Sequence, residues 1–334
     1  MSGMDQEPLI EVSRLVKKYP VRNTGKNNRE HQYLMAVNDV SFQIRRGEIV
    51  SFVGESGCGK STLGRCILQL IKPSEGSVKY KGEEITTASP KRMKELRKEM
   101  QIIFQNPYSS MNPRIRIGKA LREVLKEFRL HEGKEEERIL EVLGMVGMNE
   151  SALSRFPHQF SGGQLQRLAI ARALLVEPKF IVADEPVSAL DVSVQAQVVN
   201  LMMDLKEKLN LTILFIAHDL SVVEHISDRV MVMYVGKVVE AAAVSELYSN
   251  PVHPYTRALL TSIPLPDPKR PLPENTLKGE TPSPINMLPG CVFKERCPDR
   301  AEECGLITKD LNYLSREHFC MCYMAKYGDG KSIG

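Results

Sequence analysis

Residues 52–62 read FVGESGCGKST. The run that leads into them, EIVSFVG (Glu48–Gly54), is nearly continuous in apolar residues, as a strand buried on both faces is. Gly54, Gly57 and Gly59 free the backbone to turn its N–H groups inward, at Ser56 and Cys58 as well as at the glycines. Lys60, Ser61 and Thr62 follow, where a helix is predicted to begin. This is the pattern G-x-x-x-x-G-K-[ST] in the strand–turn–helix setting that it needs. The turned-in N–H groups and the positive end of the helix dipole attract phosphate oxygens. Lys60 can reach β- and γ-phosphates, and Ser61 can ligate Mg²⁺. Cys58 reads as a small residue tolerated in the loop rather than a nucleophile, and Cys66 as core packing on the following helix.

The rest of the chain fits an α/β fold around this loop. PLIEVSRLVKKYP (8–20) and VNDVSFQI (37–44) read as strands before it, with the polar loop RNTGKNNRE (22–30) between them. SVKYKGEEI reads as a strand and a turn around Gly82. Apolar residues then recur at helical spacing from Ile117 through Leu121 and Leu125 to Phe128, and EEERILEVLGMVGM continues the helical stretch. KFIVADE and TILFIAHD are two more buried strands, with the helix VQAQVVNLMMDLKEKL between them. Such alternation predicts a largely parallel sheet. VMVMYVGKVVEA reads as a hairpin around Gly236, and after about Ser249 prolines crowd a separate appendage.

Composition narrows the function classes. Over 334 residues, 45 Lys and Arg stand against 41 Asp and Glu, spread along the chain, which gives no reason to expect a nucleic-acid partner. KRMKELRK (91–98) reads as a solvated helix face. No stretch approaches the ~20 apolar residues that span a bilayer. MSGMDQEPLIEV lacks the basic-then-apolar pattern of a signal peptide. The expected compartment is the cytosol, where thiols stay reduced and a cysteine cluster points to metal or redox chemistry.

A triphosphate loop needs a second acidic strand end. FIVADE supplies Asp184 as the Mg²⁺ partner and Glu185 as the base that polarises the attacking water. Adjacent carboxylates at the end of an apolar strand are costly to bury without a cation or bound water. In FSGGQLQRLAIARALL, Ser161 reads as an N-cap, followed by Gly162, Gly163 and Gln164 at the start of a regular helix. That helix could bind phosphate too, which is redundant within one chain unless it serves another chain's nucleotide.

With these motifs in order, the sequence resembles the ATPase subunit of ATP-binding-cassette (ABC) transporters over roughly residues 8–250. The resemblance rests on GESGCGKST, on Gln105 in IIFQNP, on FSGGQ, on FIVADE, on Ser188–Asp191 in SALD and on His218 in IAHD. It implies an α/β nucleotide-binding core, an antiparallel β subdomain and a helical subdomain at about 106–176. It implies further a head-to-tail dimer whose two ATPs each lie between one chain's phosphate loop and Ser161–Gln164 of the other. His218 would contact the γ-phosphate, Gln105 would sense Mg²⁺ and the attacking water, and Tyr19 would stack on adenine. NPVHPYTRALLTSIPLPDP, from Asn250, resembles the C-terminal extension of oligopeptide and dipeptide permease ATPases, here 251–334. NPYSSMNPRIRIG resembles their F-type subunit. The implied partners are a D-type ATPase subunit, two transmembrane permeases and an extracytoplasmic peptide-binding protein, at the cytoplasmic face of the cell membrane. Close relatives carry nickel or other small solutes. The competing readings are an ABC ATPase acting on ribosomes or DNA, which often has two cassettes or a long coiled coil, and a module whose working end is the cysteine segment.

Five of the seven cysteines fall between Cys291 and Cys322. The spacing C-x₅-C-x₆-C of Cys291, Cys297 and Cys304 lacks the C-x₂-C pairs of structural zinc sites and the close spacing of bacterial ferredoxins. Spacing alone leaves zinc, an Fe–S cluster and free thiols open. The permease resemblance implies a [4Fe–4S] cluster on Cys291, Cys297, Cys304 and Cys322, with Cys320 as the alternative fourth ligand and Zn²⁺ as the alternative metal.

Overall fold

The computed structural model describes residues 7–21, 32–263, 277, 279–285, 287, 290–305, 312–315, 317–322 and 325. The polar loop at 22–30 and most of the proline-rich run that begins at Ile263 lie outside the described residues. The chain divides into two compact units interleaved along the sequence. One gathers Tyr80–Ala217 with Ile44–Ile49 and the N-terminal residues to Ile10; the other takes Glu11–Gln43, Val50–Lys79 and His218–Gly334.

In the first unit, strand Phe180–Asp184 lies between Met100–Ile103 and Thr212–Ile216, all three parallel, with Ile102 opposite Val182 and Asp184 opposite Ile216. Both long apolar runs are buried at every position, as parallel strands covered on both faces are. Strand Met100–Ile103 was not apparent in the sequence. It is four residues long and leaves helix Pro90–Glu99 with no intervening turn residue. Ser89 caps that helix and Pro90 occupies its first turn, as their chemistry favours. Only Met93 and Leu96 of it are buried, so its basic residues form the expected solvated face. Helix Ile117–Phe128 buries Ile117, Leu121 and Leu125, and helix Glu135–Met145 buries Ile139, Val142 and Leu143. The two pack together, and the second packs on helix Gly162–Leu174.

In the second unit, one sheet orders its strands Gln32–Ile44, Ile10–Val21, Glu75–Tyr80. Another begins with Ile49–Val53, which runs parallel to Arg229–Tyr234. The predicted hairpin joins Arg229–Tyr234 to Lys237–Ala243. Its turn residues Val235 and Gly236 both have positive φ, 41° and 78°, as a two-residue turn that follows strand twist requires.

The C-terminal segment, expected as a separate appendage, instead builds onto this hairpin. Phe319–Cys320 pairs antiparallel with Lys237–Ala243, and Asn312–Tyr313 pairs with Phe319–Cys320. A bulge between Val238 and Glu240 accompanies the burial of the Glu240 carboxylate. That carboxylate accepts the N–H groups of Val252 (2.8 Å) and His253 (3.0 Å) and pairs with His318 Nε2 at 2.9 Å. Phe293 packs with ring centroids 5.2 Å from Tyr234, 5.4 Å from Tyr255 and 5.7 Å from His253. All four rings are at most 1% exposed. Helix Pro254–Thr261, which carries Tyr255, is thus clamped between the hairpin and the cysteine segment. Replacing Phe293 by Ala is expected to lower unfolding free energy by about 3–5 kcal/mol, the usual cost of deleting a buried Phe ring. Urea denaturation checks this, and an unchanged midpoint would show that the extension contributes nothing to the second unit.

Candidate functional site

The phosphate loop is shaped by three glycines, two of which have no room for a side chain. Gly54, Gly57 and Gly59 have φ of 149°, 79° and 109°. A Cβ on Gly54 would stand 2.0 Å from the Met233 carbonyl oxygen, and one on Gly59 would stand 2.0 Å from that of Ala36. A Cβ on Gly57 would meet nothing within 4 Å, so the loop is open on that side. The hairpin turn supports the loop: Gly236 N–H donates to the Cys58 carbonyl at 2.9 Å, and Asn38 N–H donates to the Gly236 carbonyl at 2.8 Å.

Helix Lys60–Ile67 starts directly after Gly59, which offers no side chain to take up its first-turn N–H groups. Such a terminus suits a bound anion. Ser61 and Thr62 occupy that first turn. Lys60 is 4% exposed, and its Nζ donates to the carbonyls of Gly54 (2.7 Å) and Glu55 (3.1 Å) along the inside of the loop. The Tyr19 ring is half-buried, and Lys17 Nζ lies 4.9 Å from its centroid. Burial pushes the Cys58 thiol up and the Cys66 thiol up to about 11, in keeping with packing rather than nucleophilic roles. His218, exposed after strand Thr212–Ile216, belongs to the same unit as the loop.

The remaining residues predicted for the nucleotide site belong to the first unit. Asp184 ends its strand and is 2% exposed. Glu185 leaves the strand in the left-handed region at φ 48°, a conformation that costs a non-glycine residue about 1–3 kcal/mol and is concentrated at functional sites. Its N–H donates to the Ile216 carbonyl at 3.0 Å, and its Oε2 accepts from Gln105 Nε2 at 2.8 Å. The Ser188 N–H and hydroxyl both donate to the Glu185 carbonyl, at 3.3 and 3.1 Å. The segment Ser188–Asp191 is therefore folded onto the strained residue.

Ser161 caps helix Gly162–Leu174 reciprocally with Gln164: Ser161 Oγ accepts the Gln164 N–H at 3.3 Å, and Gln164 Oε1 accepts the Ser161 N–H at 3.2 Å. A Cβ on Gly163 would stand 2.3 Å from Val194 Cγ1, so this glycine sets how closely helix Val192–Leu209 packs. Ser161 and Gln164 remain exposed, as does Val192 at 81%.

Nothing in the sequence pattern singles out Glu55, yet this second residue of the loop is tied to three distant residues. Its carboxylate accepts from Arg296 and from the Thr281 hydroxyl, and its N–H donates to the Tyr255 hydroxyl at 2.9 Å. The partners lie 200 residues or more along the chain, and only the position of Arg296 beside Cys297 hinted at them.

The cysteine segment gathers its thiols. Cys291 N–H donates to the Cys304 carbonyl at 2.8 Å. The Cys291 thiol interacts electrostatically with those of Cys304 and Cys322, and Cys297 with those of Cys291 and Cys322. Burial pushes the Cys297 thiol up to about 11. Cys320 lies against Cys322 and Glu240. Among the described residues, no group of three or more His, Cys, Asp or Glu is arranged as ligands of a metal ion.

Comparison with known proteins agrees with these motifs. The ABC transporter family matches residues 37–188, and the family "Oligopeptide/dipeptide transporter, C-terminal region" matches residues 239–304. The oligopeptide transport ATP-binding protein AppF of Bacillus subtilis is 47% identical over 332 residues, 97% of this chain and 99% of the relative. OppF of Haemophilus influenzae is 46% identical over 323 residues, 95% and 97% of the two chains. Among solved structures, cbiO1 of Clostridium perfringens matches with TM-score 0.63 and 27% identity over 73% of this chain and 92% of that one. The dimeric cassette MJ0796, bound to ADP and Pi, matches with TM-score 0.61 and 28% identity over 70% and 98%.

The two glycine environments make a paired test. Gly59→Ala drives a Cβ into a backbone oxygen, whereas Gly57→Ala meets only the left-handed penalty of roughly 1–2 kcal/mol. Thermal unfolding is expected to show a clearly larger loss for Gly59→Ala. Equal losses would contradict the close approach of Ala36 to the loop.

Proposed function

This chain belongs to the oligopeptide/dipeptide branch of the ABC transporter ATPases, and we propose that it hydrolyses ATP to energise peptide import. The observation that carries the residue roles is the Gln105–Glu185 hydrogen bond at the left-handed end of the acidic strand. An amide donor on Oε2 fixes the carboxylate that would take a proton from the attacking water. Lys60 and the N–H groups of Gly54–Thr62 hold the phosphates. Ser61 and Asp184 would hold Mg²⁺, which supplies charge neutralisation at the β- and γ-oxygens. His218 would contact the γ-phosphate, and Tyr19 would stack on the adenine.

The exposed, reciprocally capped helix start at Ser161–Gln164 fits a second chain's ATP. The relationship to a cassette that is dimeric with ADP and Pi supports that arrangement. The partner is a D-type ATPase subunit, and the pair serves two transmembrane permeases fed by an extracytoplasmic binding protein. Among the described residues no helix is long and apolar enough to cross a membrane. Attachment at the cytoplasmic face would then run through the permeases. The relatives' names favour peptides over nickel or another small solute as the cargo. In this reading 8–250 form the ATPase domain, with its helical part at about 106–176, and 251–334 the extension.

The extension would hold a [4Fe–4S] cluster on Cys291, Cys297, Cys304 and Cys322. Cys291 and Cys297 interact electrostatically with each other and with Cys322, and Cys291 also with Cys304, which suits it. Zn²⁺ is the alternative metal for the same cysteines. The cluster would act structurally, tying together a segment that has little core of its own.

Glu185→Gln is expected to keep ATP binding while turnover in the assembled transporter falls about 10²–10⁴-fold, the usual contribution of a general base. Lys60→Ala should weaken nucleotide binding itself. Wild-type hydrolysis by Glu185→Gln would refute the assignment. Anaerobically purified protein should carry about four irons per chain. Cys322→Ser should abolish them and Cys320→Ser retain them. Stoichiometric zinc without iron would sink the cluster, and the reverse mutant pattern would move the fourth ligand to Cys320.

A further inference from the structure

The Cys291–Cys297 turn reaches the phosphate loop through one side chain. Arg296 forms a two-pronged pair with Glu55: Nη1 donates to Oε2 at 2.7 Å and Nη2 to Oε1 at 3.0 Å. The Arg296 side chain is 6% exposed and that of Glu55 26%, so the pair is partly shielded from solvent. Arg296 Nη1 also donates to the Tyr234 hydroxyl at 3.2 Å, and the Arg296 N–H donates to the Phe293 carbonyl at 3.0 Å. Phe293, in the same turn, is locked among Tyr234, Tyr255 and His253. The guanidinium therefore has a fixed base.

On the other side, Glu55 is held by Arg296, by Thr281 and, through its own N–H, by the Tyr255 hydroxyl. Its carbonyl takes one of the hydrogen bonds of Lys60 Nζ. The residue that Arg296 grips thus adjoins Gly54 and bonds the phosphate-binding lysine. The Arg296 guanidinium holds the Glu55 carboxyl below the usual carboxylate range, so both groups are charged near neutral pH.

We propose that Arg296 is a positioning residue for ATP binding. It fixes the phosphate loop through Glu55, so that the state of the cysteine turn sets how tightly the chain grips nucleotide. The inference rests on the ATP-binding reading of that loop. A fork of charge-assisted hydrogen bonds to a planar carboxylate fixes direction as well as distance, which an ammonium does not. Without the fork, Glu55 can turn to solvent, and ordering the loop is left to nucleotide binding itself.

The test measures affinity of the full chain for a non-hydrolysable Mg–ATP analogue, together with ATPase KM and kcat. Arg296→Ala should weaken analogue binding about tenfold, the scale of one charge-assisted bond. KM should rise with kcat nearly unchanged, because Glu185 and Gln105 are untouched. Arg296→Lys should recover only part of the affinity. Glu55→Gln should also weaken binding, and the double variant should be no weaker than Arg296→Ala alone. Cys291→Ser with Cys297→Ser should lower affinity in the wild-type background and change nothing further in Arg296→Ala. Wild-type affinity in Arg296→Ala, or additive losses in the double variant, would overturn the proposal. So would cysteine variants that act equally in both backgrounds. A wild-type chain that fails to bind the analogue, or a Lys60→Ala variant that binds it unchanged, would instead refute the ATP site itself.

Discussion

The structure depends on two backbone oxygens. The carbonyls of Met233 and Ala36 each stand 2.0 Å from where a Cβ would lie on Gly54 and Gly59. The phosphate loop can wrap as it does only because those positions are glycine, and a hydrogen bond from the hairpin turn holds it there. The left-handed Val235–Gly236 turn brings the Gly236 N–H to the Cys58 carbonyl. The hairpin in turn anchors the extension through Glu240, Tyr234 and the strand Phe319–Cys320. Sheet, phosphate loop and cysteine segment are therefore mechanically continuous within the second unit.

Hydrolytic chemistry is placed differently. Glu185 sits in a strained backbone conformation that is over-determined by the Ile216 carbonyl, by Gln105 and by both donors of Ser188. Strain held by several independent bonds is a way to fix a carboxylate without a rigid side chain. Gln105 lies just beyond strand Met100–Ile103, at the entry to the helical region, so a shift of that region would be felt at Oε2 of Glu185. Such coupling suits an ATPase that must respond to a partner.

Much of this was legible in the sequence, because it depends on local rules. Continuous apolar runs gave the parallel strands Phe180–Asp184 and Thr212–Ile216, and helical periodicity gave Ile117–Phe128. Gly54, Gly57 and Gly59 announced a turned loop, and Ser161 announced a capped helix. What was hidden depends on distant pairing. The extension looked separate because its prolines and short strands carry no periodic apolar face, yet it borrows the hairpin's edge and aromatic side chains. Glu55 looked like an interchangeable loop residue because its partner Arg296 lies 241 positions away. Strand Met100–Ile103 was missed because it carries no turn signal and too few residues to show a period.

The central claim is that this chain is one half of a coupled ATPase, with Ser161–Gln164 acting on a partner's nucleotide. The most direct measurement is the ATPase rate of the purified chain alone, and then reconstituted with the proposed D-type subunit and permeases, with and without the proposed binding protein loaded. The account predicts slow turnover alone, a large rise on assembly and a further rise with loaded binding protein. Full-speed turnover by a monomer, independent of its own concentration, would contradict it.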